Sequence, residues 1–174
     1  MLLVFIAGFM GMVFETMLIL IYQSHSGILY QNIGILLTAF MAGLSIGAIL
    51  LDKIYRLNIK NLYVYALAGF VLLFSLALLN FFLNDIISSN LFLGLAGTSF
   101  LLIISGIFVS GIFAHASLFR AANQLSTIAP LYLADVLGGS LGSLLSTFIL
   151  IPFLGIIPTG ILLGVLSLIS IILQ

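Results

Sequence analysis

Residues 131–155, LYLADVLGGSLGSLLSTFILIPFLG, form an apolar run that is long enough to cross a lipid bilayer. A membrane-spanning helix needs about 20 predominantly apolar residues. The run carries one charged side chain, Asp135, and small residues recur behind it at Gly138, Gly142 and Ser146. The stretch therefore predicts a membrane helix with one face built from small residues.

The composition of the whole chain agrees with a membrane protein. Its 174 residues are 64% hydrophobic and only 5% charged, whereas soluble domains carry roughly 25% charged residues. These few polar residues cannot cover a water-facing surface. The outer surface of the protein must therefore contact lipid. A formal net charge of zero excludes the basic footprint of a nucleic-acid-binding protein, and the absence of cysteine excludes disulfides and thiolate metal sites.

Six apolar runs of spanning length divide the chain, and they predict a single six-helix membrane domain over residues 1–174. The three prolines, Pro130, Pro152 and Pro158, lie at the ends of runs, where a missing backbone N–H is tolerated. We therefore expect no helix interior to contain a proline. The fold class is an all-α transmembrane bundle with spans near 2–22, 29–51, 61–83, 91–115, 128–151 and 157–173.

The basic residues predict the orientation of the bundle. Lys53, Arg56 and Lys60 follow the second run, and Arg120 follows the fourth. Segments after even-numbered spans face the same side, which the positive-inside rule assigns to the cytoplasm. We expect both termini in the cytoplasm and a multi-pass location in the inner membrane of a bacterium.

Small residues also recur in the first two runs. Ala39, Gly43 and Gly47 are spaced four apart in the second run, and Gly8 and Gly11 share one face of the first. Small residues at this spacing let helix backbones approach closely within a membrane. The stripes favour helix packing, and a groove for a ligand is the alternative.

Two acidic residues, Glu15 and Asp135, fall inside predicted spans. An aspartate at the centre of a membrane helix costs roughly 2.5–3.5 kcal/mol, so such residues are candidates for function. We expect Asp135 to face the bundle interior, with Tyr132, Arg120, another hydroxyl or a backbone group as its partner. For both acids, a structural hydrogen-bonded role and a functional role stay open.

Three segments together resemble the membrane domain of bacterial transmembrane spermidine synthase-like proteins, which contains a distantly major facilitator-like six-helix unit. They are AGFMGMVFE, LLTAFMAGLSIGAIL and APLYLADVLGGSLGSLLSTFILIPFLG. The family's pattern falls on these positions: Gly8, Glu15, Phe40, Gly43, Gly47, Tyr132, Asp135, Gly138, Gly142, Pro152 and Gly155.

The resemblance implies that a soluble aminopropyltransferase domain of Rossmann type usually accompanies this membrane domain. Such a domain needs alternating strands and helices with a Gly-rich turn and acidic ligands, and four acidic residues scattered over six spans do not supply them. We therefore expect a chain that is not an enzyme and holds no catalytic residue, metal or cofactor.

Two functions remain open at this point. The first is a non-catalytic membrane subunit or anchor, whose small-residue stripes hold other subunits in a hetero-complex or a homodimer. The alternative is a half-transporter, or a proton or small-cation pathway, that uses Glu15 and Asp135 and needs a second half. Similar stripes in spans two and five, which run in opposite directions, would suit an inverted repeat.

A membrane enzyme or redox subunit has the least support. The two histidines, His25 and His115, are predicted in an external loop and at the cytoplasmic end of a span. Ligands of one haem must instead lie at a similar depth on facing helices.

Overall fold

A computed structural model of the protein describes residues 2–26, 32–55, 91–119 and 124–172. All regular structure in these ranges is helical, and none of it is strand. The elements in chain order are α1 (Leu2–Ser26), α2 (Ile33–Tyr55), α3 (Leu91–Phe119), α4 (Gln124–Leu145), a π-helical segment (Ser146–Leu154) that continues α4, and α5 (Ile156–Ile172).

Four stretches are long and apolar enough to cross a membrane, namely Leu2–Ser24, Ile33–Leu50, Phe92–Ala114 and Ala129–Leu154. They coincide with the first, second, fourth and fifth predicted spans, and they identify the chain as a helical membrane protein. The sixth predicted span is α5, whose apolar part, Ile156–Ser167, is shorter. The third predicted span, 61–83, lies outside the described residues, as do Arg56, Lys60 and Arg120.

The connection between α1 and α2 is closed by a side-chain hydrogen bond. Asn32 Nδ2 donates to the hydroxyl oxygen of Tyr22 over 2.6 Å. Because Tyr22 lies in the last turns of α1 and Asn32 directly precedes α2, the two helices run in opposite directions. We call this end of the bundle the α1–α2 end.

The first helix pairs with α4, although more than a hundred residues separate the two small-residue faces. A side chain at Gly138 would meet the backbone carbonyl of Phe5, and one at Gly142 would lie 2.5 Å from the carbonyl oxygen of Phe9. Both partners advance by four residues, so α1 and α4 run parallel. We call this contact between α1 and α4 the α1/α4 seam.

The second helix pairs with α3 in the same way. A side chain at Gly43 would meet the carbonyl of Ile103, and one at Gly47 would lie 2.6 Å from the carbonyl oxygen of Ile107. These helices are also parallel, and the contact is called the α2/α3 seam. Since α2 is antiparallel to α1, the two seams point in opposite directions.

The first helix lies at the centre of the arrangement. It packs against α4 on one side and α3 on the other, while α2 packs mainly on α3. The order across the bundle is therefore α2, α3, α1, α4. Consistent with this order, α1 is the most buried of the four spanning helices, and its apolar side chains, such as Val13 and Met17, are almost fully enclosed.

The expectation that no helix interior holds a proline is wrong. Pro130 lies inside α4, and Pro152 lies inside the π-helical segment. A proline ring clashes with the carbonyl four residues earlier in an α-helix, and the wider π-helical turn gives the ring of Pro152 more room. Pro158 lies in the first turn of α5, where proline is tolerated.

The π-helical segment ends at a sharp turn into α5. Gly155 has a φ of 88°, a left-handed conformation that favours glycine. Thr159 Oγ1 donates back across this turn to the carbonyl oxygens of Leu150, at 3.1 Å, and Gly155, at 2.7 Å. The turn therefore packs the start of α5 against the preceding segment and against α1.

Candidate functional site

Asp135 lies on the α1/α4 seam, opposite a glycine. A methyl group at Gly8 would lie 2.7 Å from both the backbone oxygen and Oδ1 of Asp135, and 3.3 Å from the backbone nitrogen of Gly139. Any side chain at Gly8 would therefore displace either the carboxylate or the helix that carries it. The absence of a side chain at Gly8 is what lets a carboxylate lie between these helices.

A cleft of about 320 Å³ opens beside this carboxylate. Residues of α1, α2, α3 and α4 bound it, and Asp135 is the only ionisable residue in the part of its lining that the structure describes. Ser140 adds a hydroxyl, whose hydrogen is donated to the carbonyl of Leu137 at 3.1 Å. The lining residues are Gly8, Gly11, Met12, Phe40, Leu44, Val109, Asp135, Val136, Gly139 and Ser140.

The cleft is a mostly apolar site with a single negative charge when Asp135 is ionised. Ligand sites typically have volumes of roughly 300–1,000 Å³ and place a few polar groups in an apolar wall. Asp135 is half-buried, and no described side chain donates a hydrogen bond to it. Its carboxylate therefore has acceptor capacity for a cation or a hydrogen-bond donor in the cleft.

The other predicted polar residues do not line this cleft. Tyr132 is 63% exposed, and Arg120 lies outside the described residues. Glu15 is only 5% exposed, and it lies seven residues beyond Gly8, which is about 10 Å along the helix axis. The structure thus separates the two intramembrane acids.

The glycines of the predicted small-residue stripes all lie at contacts between helices of this chain. Gly8, Gly138 and Gly142 belong to the α1/α4 seam, and Gly43 and Gly47 belong to the α2/α3 seam. A side chain at Gly11 would lie 2.6 Å from Cγ2 of Val109, so α1 meets α3 at this point. Ala39 and Ser146 are buried as well.

Gly106, which is not part of the small-residue stripes predicted from the sequence, repeats on α3 the position of Gly8 on α1. A methyl group at Gly106 would lie 2.6 Å from the carbonyl oxygen of Phe40 and 2.8 Å from the nitrogen of Leu44. Each of the two glycines therefore faces a carbonyl on the partner helix and the amide four residues further on.

A signal for this equivalence was present in the sequence. The segments IAGF (6–9) and ISGI (104–107) place the two glycines alike, and GLSIG (43–47) matches GGSLG (138–142). In this alignment Asp135 corresponds to Phe40, and both line the cleft. The α1/α4 seam and the α2/α3 seam therefore share one pattern of glycine contacts, and their helices run in opposite directions.

The described residues contain no group of three His, Cys, Asp or Glu side chains that could hold a metal ion. The described lining of the cleft offers the carboxylate of Asp135, the hydroxyl of Ser140 and an apolar wall. No protein-family model, no curated protein and no solved structure matches this chain.

Proposed function

We propose that this chain is a solute-binding unit of a membrane transport system, in which Asp135 binds a cationic or hydrogen-bond-donating group of the solute. The observation that carries the proposal is the placement of a half-buried carboxylate, without a described donor, in the wall of a cleft where four helices meet. An acidic side chain that only stabilised the fold is expected to form hydrogen bonds within the protein.

The repeated seams support a transport function. Transporter domains are often built from inverted repeats, and their substrate sites lie where the repeats meet. Here α3 and α2 make the same glycine contacts as α1 and α4, and the helices of the two pairs run in opposite directions. The cleft lies between the two pairs, next to the contact of Gly11 with Val109.

The anchor function stays a prediction with weaker support. It relied on small-residue stripes that hold other subunits, and the described stripes are occupied by helices of the same chain. A six-helix unit of this type would act with a second unit, either another copy or a different subunit. The resemblance to the membrane domain of spermidine synthase-like proteins also stays a prediction.

The six-span topology with cytoplasmic ends belongs to this proposal. Parallel α2 and α3 put Tyr55 and Leu91 at opposite ends of the bundle, which supports a further span at 61–83. Lys53 lies in the last turn of α2, so the positive-inside rule puts the α1–α2 end outside, in the inner membrane of a bacterium. A reporter fused to Gln174 should therefore be active in the cytoplasm, and external activity would contradict the topology.

Binding of n-butylammonium to the purified protein in detergent tests the role of Asp135. We expect the wild-type protein to melt at a higher temperature with this cation than with uncharged n-butanol, because binding to the folded state stabilises it. Asp135→Asn should keep the fold and weaken binding by at least about tenfold, which is roughly 1.4 kcal/mol.

Tyr132→Phe is the matched control, because Tyr132 lies one turn earlier on α4 and is exposed. Its stabilisation by n-butylammonium should equal that of the wild-type protein. Equal stabilisation of Asp135→Asn and the wild-type protein would contradict the proposed function.

A further inference from the structure

Glu15 is a buried acidic residue that does not line the cleft. Its side chain is 5% exposed, and no described group donates a hydrogen bond to it or forms an ion pair with it. An ionised carboxylate in such surroundings is unstable unless it gains a proton, a cation or a donor. The surroundings of Glu15 therefore decide which of these it meets.

Buried polar side chains on α3 lie at the same positions along the bundle axis as the buried polar side chains on this part of α1. Gly11 meets Val109, and α1 and α3 are antiparallel. Moving one turn along each helix places Glu15 level with Ser105, and two further turns place Tyr22 level with Thr98. All four of these polar side chains are buried, with exposures between 0% and 5%.

These hydroxyl groups can accept a hydrogen bond from a protonated carboxyl group or from water. Ser105 Oγ donates to the carbonyl of Leu102 at 2.8 Å, and Thr98 Oγ1 donates to that of Gly94 at 2.8 Å. A hydroxyl oxygen keeps lone pairs when its hydrogen is donated. The hydroxyl of Tyr22 is held by Asn32 at the α1–α2 end. Buried polar side chains thus lie at two levels, that of Tyr22 and Thr98 and that of Glu15 and Ser105, which are about 10 Å apart along α1.

No basic side chain in the described spans is available to Glu15. The four basic residues of the chain are Lys53, Arg56, Lys60 and Arg120; Lys53 lies at the opposite end of α2, and the others lie outside the described residues. In the spans described for α2 and α3, and in α5, no residue is titratable. On α4 the titratable residues are Tyr132 and Asp135, and Asp135 lies at the level of Gly8, two turns away.

We propose that Glu15 is a proton-binding site that is reached from the α1–α2 end of the bundle along Tyr22, Thr98 and Ser105. A proton adds to one carboxylate oxygen and leaves a neutral carboxyl group, and the same proton is released to water when the pH is raised. The hydroxyl oxygens described above accept the hydrogen bond of the neutral form.

The proton site is connected to the cleft by α1 itself, and this step rests on the proposed function. Glu15 and Gly8 lie on one face of α1, and Gly8 contacts Asp135 directly. When Glu15 gains or loses a proton, its charge changes, and so does the most stable position of this face of α1. A shift of α1 moves Gly8 relative to the carboxylate of Asp135. Proton binding at Glu15 and solute binding at Asp135 are therefore coupled.

Infrared difference spectroscopy of the full-length protein in detergent tests the proton site. In the wild-type protein the carbonyl stretch of a neutral carboxylic acid should disappear as the pH is raised. Glu15→Gln should remove this titrating band, and Asp135→Asn should keep it. Persistence of the band in Glu15→Gln, or a Glu15 band that never titrates, would overturn the proposal.

A second variant guards against loss of the fold. If Glu15→Gln does not fold, Glu15→Asp is measured in its place, and it should retain a titrating carboxyl band. Absence of that band in a folded Glu15→Asp protein would overturn the proposal. Coupling is measured separately as proton uptake or release when n-butylammonium is added in weak buffer. Loss of this signal in Glu15→Gln is expected, and an unchanged signal would contradict coupling.

The two proposals can fail independently. If n-butylammonium does not bind while the titrating band depends on Glu15, the proton site stands and the proposed function falls. If binding depends on Asp135 but no band depends on Glu15, the opposite holds.

Discussion

The α1/α4 seam and the α2/α3 seam use the same glycine contacts but hold different side chains beside them. Where α4 has Asp135 and Gly139, α2 has Phe40 and Leu44 at the equivalent positions. All four residues line the cleft, where Phe40 and Leu44 contribute apolar side chains and Asp135 contributes a carboxylate. Glycines thus set the distance between the helices, and the residues at the equivalent positions beside them decide whether a seam presents apolar side chains or a carboxylate to the cleft.

The comparison also explains why the carboxylate is on the α1/α4 side. A second aromatic side chain at position 135 would make both seams alike and would occupy the volume next to Gly8. A carboxylate there costs stability in a membrane, and such a cost at one of two equivalent positions is typical of a functional site.

The largest effect is expected when a seam is forced open. Gly43→Leu and Gly138→Leu should each abolish the folded protein, because the new side chain would meet the backbone of Ile103 or Phe5. Overpacking typically costs about 1–3 kcal/mol and more against rigid backbone, and lipid offers no compensating burial. Size-exclusion chromatography and thermal melting in mild detergent measure the loss.

The control for this pair is Gly34→Leu, because a methyl group at Gly34 meets no atom of the described residues within 4 Å. Its melting temperature should stay close to that of the wild-type protein. A wild-type melting temperature for Gly43→Leu would show that α2 and α3 are not in contact there.

An intermediate effect should separate the two seams. Gly8→Ala and Gly106→Ala should each lower the free energy of unfolding by about 1–3 kcal/mol, since both methyl groups meet atoms of the partner backbone. Only Gly8→Ala should also weaken n-butylammonium binding, because its methyl group displaces Oδ1 of Asp135. Denaturation and the melting shift with the cation measure the two effects. An equal loss of binding in both variants would contradict the difference between the seams.

The smallest effect is expected at Gly139. A methyl group there would lie 3.2 Å from Cγ of Met12, a flexible side chain that can move. Replacing glycine by alanine in a helix gains roughly 0.8–1 kcal/mol of helix propensity, so Gly139→Ala should change stability by less than about 1 kcal/mol. Thermal melting beside Gly8→Ala measures this, and a loss as large as that of Gly8→Ala would mean that Met12 is held rigidly.

Much of the fold could be predicted because apolar length and small-residue spacing are local properties of the sequence. Four spans and the small-residue faces around Gly43 and Gly138 follow from them directly. The helix ends are less exact, because α1 continues to Ser26 and α2 to Tyr55. Polar residues at a membrane surface do not end a helix unless they break its hydrogen bonds.

The partners of the stripes could not be predicted from spacing. Gly138 contacts Phe5, and no sequence pattern near Gly138 identifies Phe5 as its partner. Ser140 lies five residues after Asp135, a spacing that does not put two side chains on one helix face, yet both residues line the cleft. Pro152 seemed to require a helix end, because the π-helical alternative is rare.

The parallel pairing of helices that are distant in sequence sets the order of events during synthesis. At roughly 5–20 residues per second, α2 waits about 2–7 s for the chain up to Leu91 before α3 begins to emerge. The glycine face of α1 waits longer still, until α4 has been made. Throughout this time both faces meet lipid or the insertion machinery instead of their final partners. Biogenesis, rather than the stability of the finished bundle, is therefore the stage at which a nascent glycine face is most open to capture by a wrong helix.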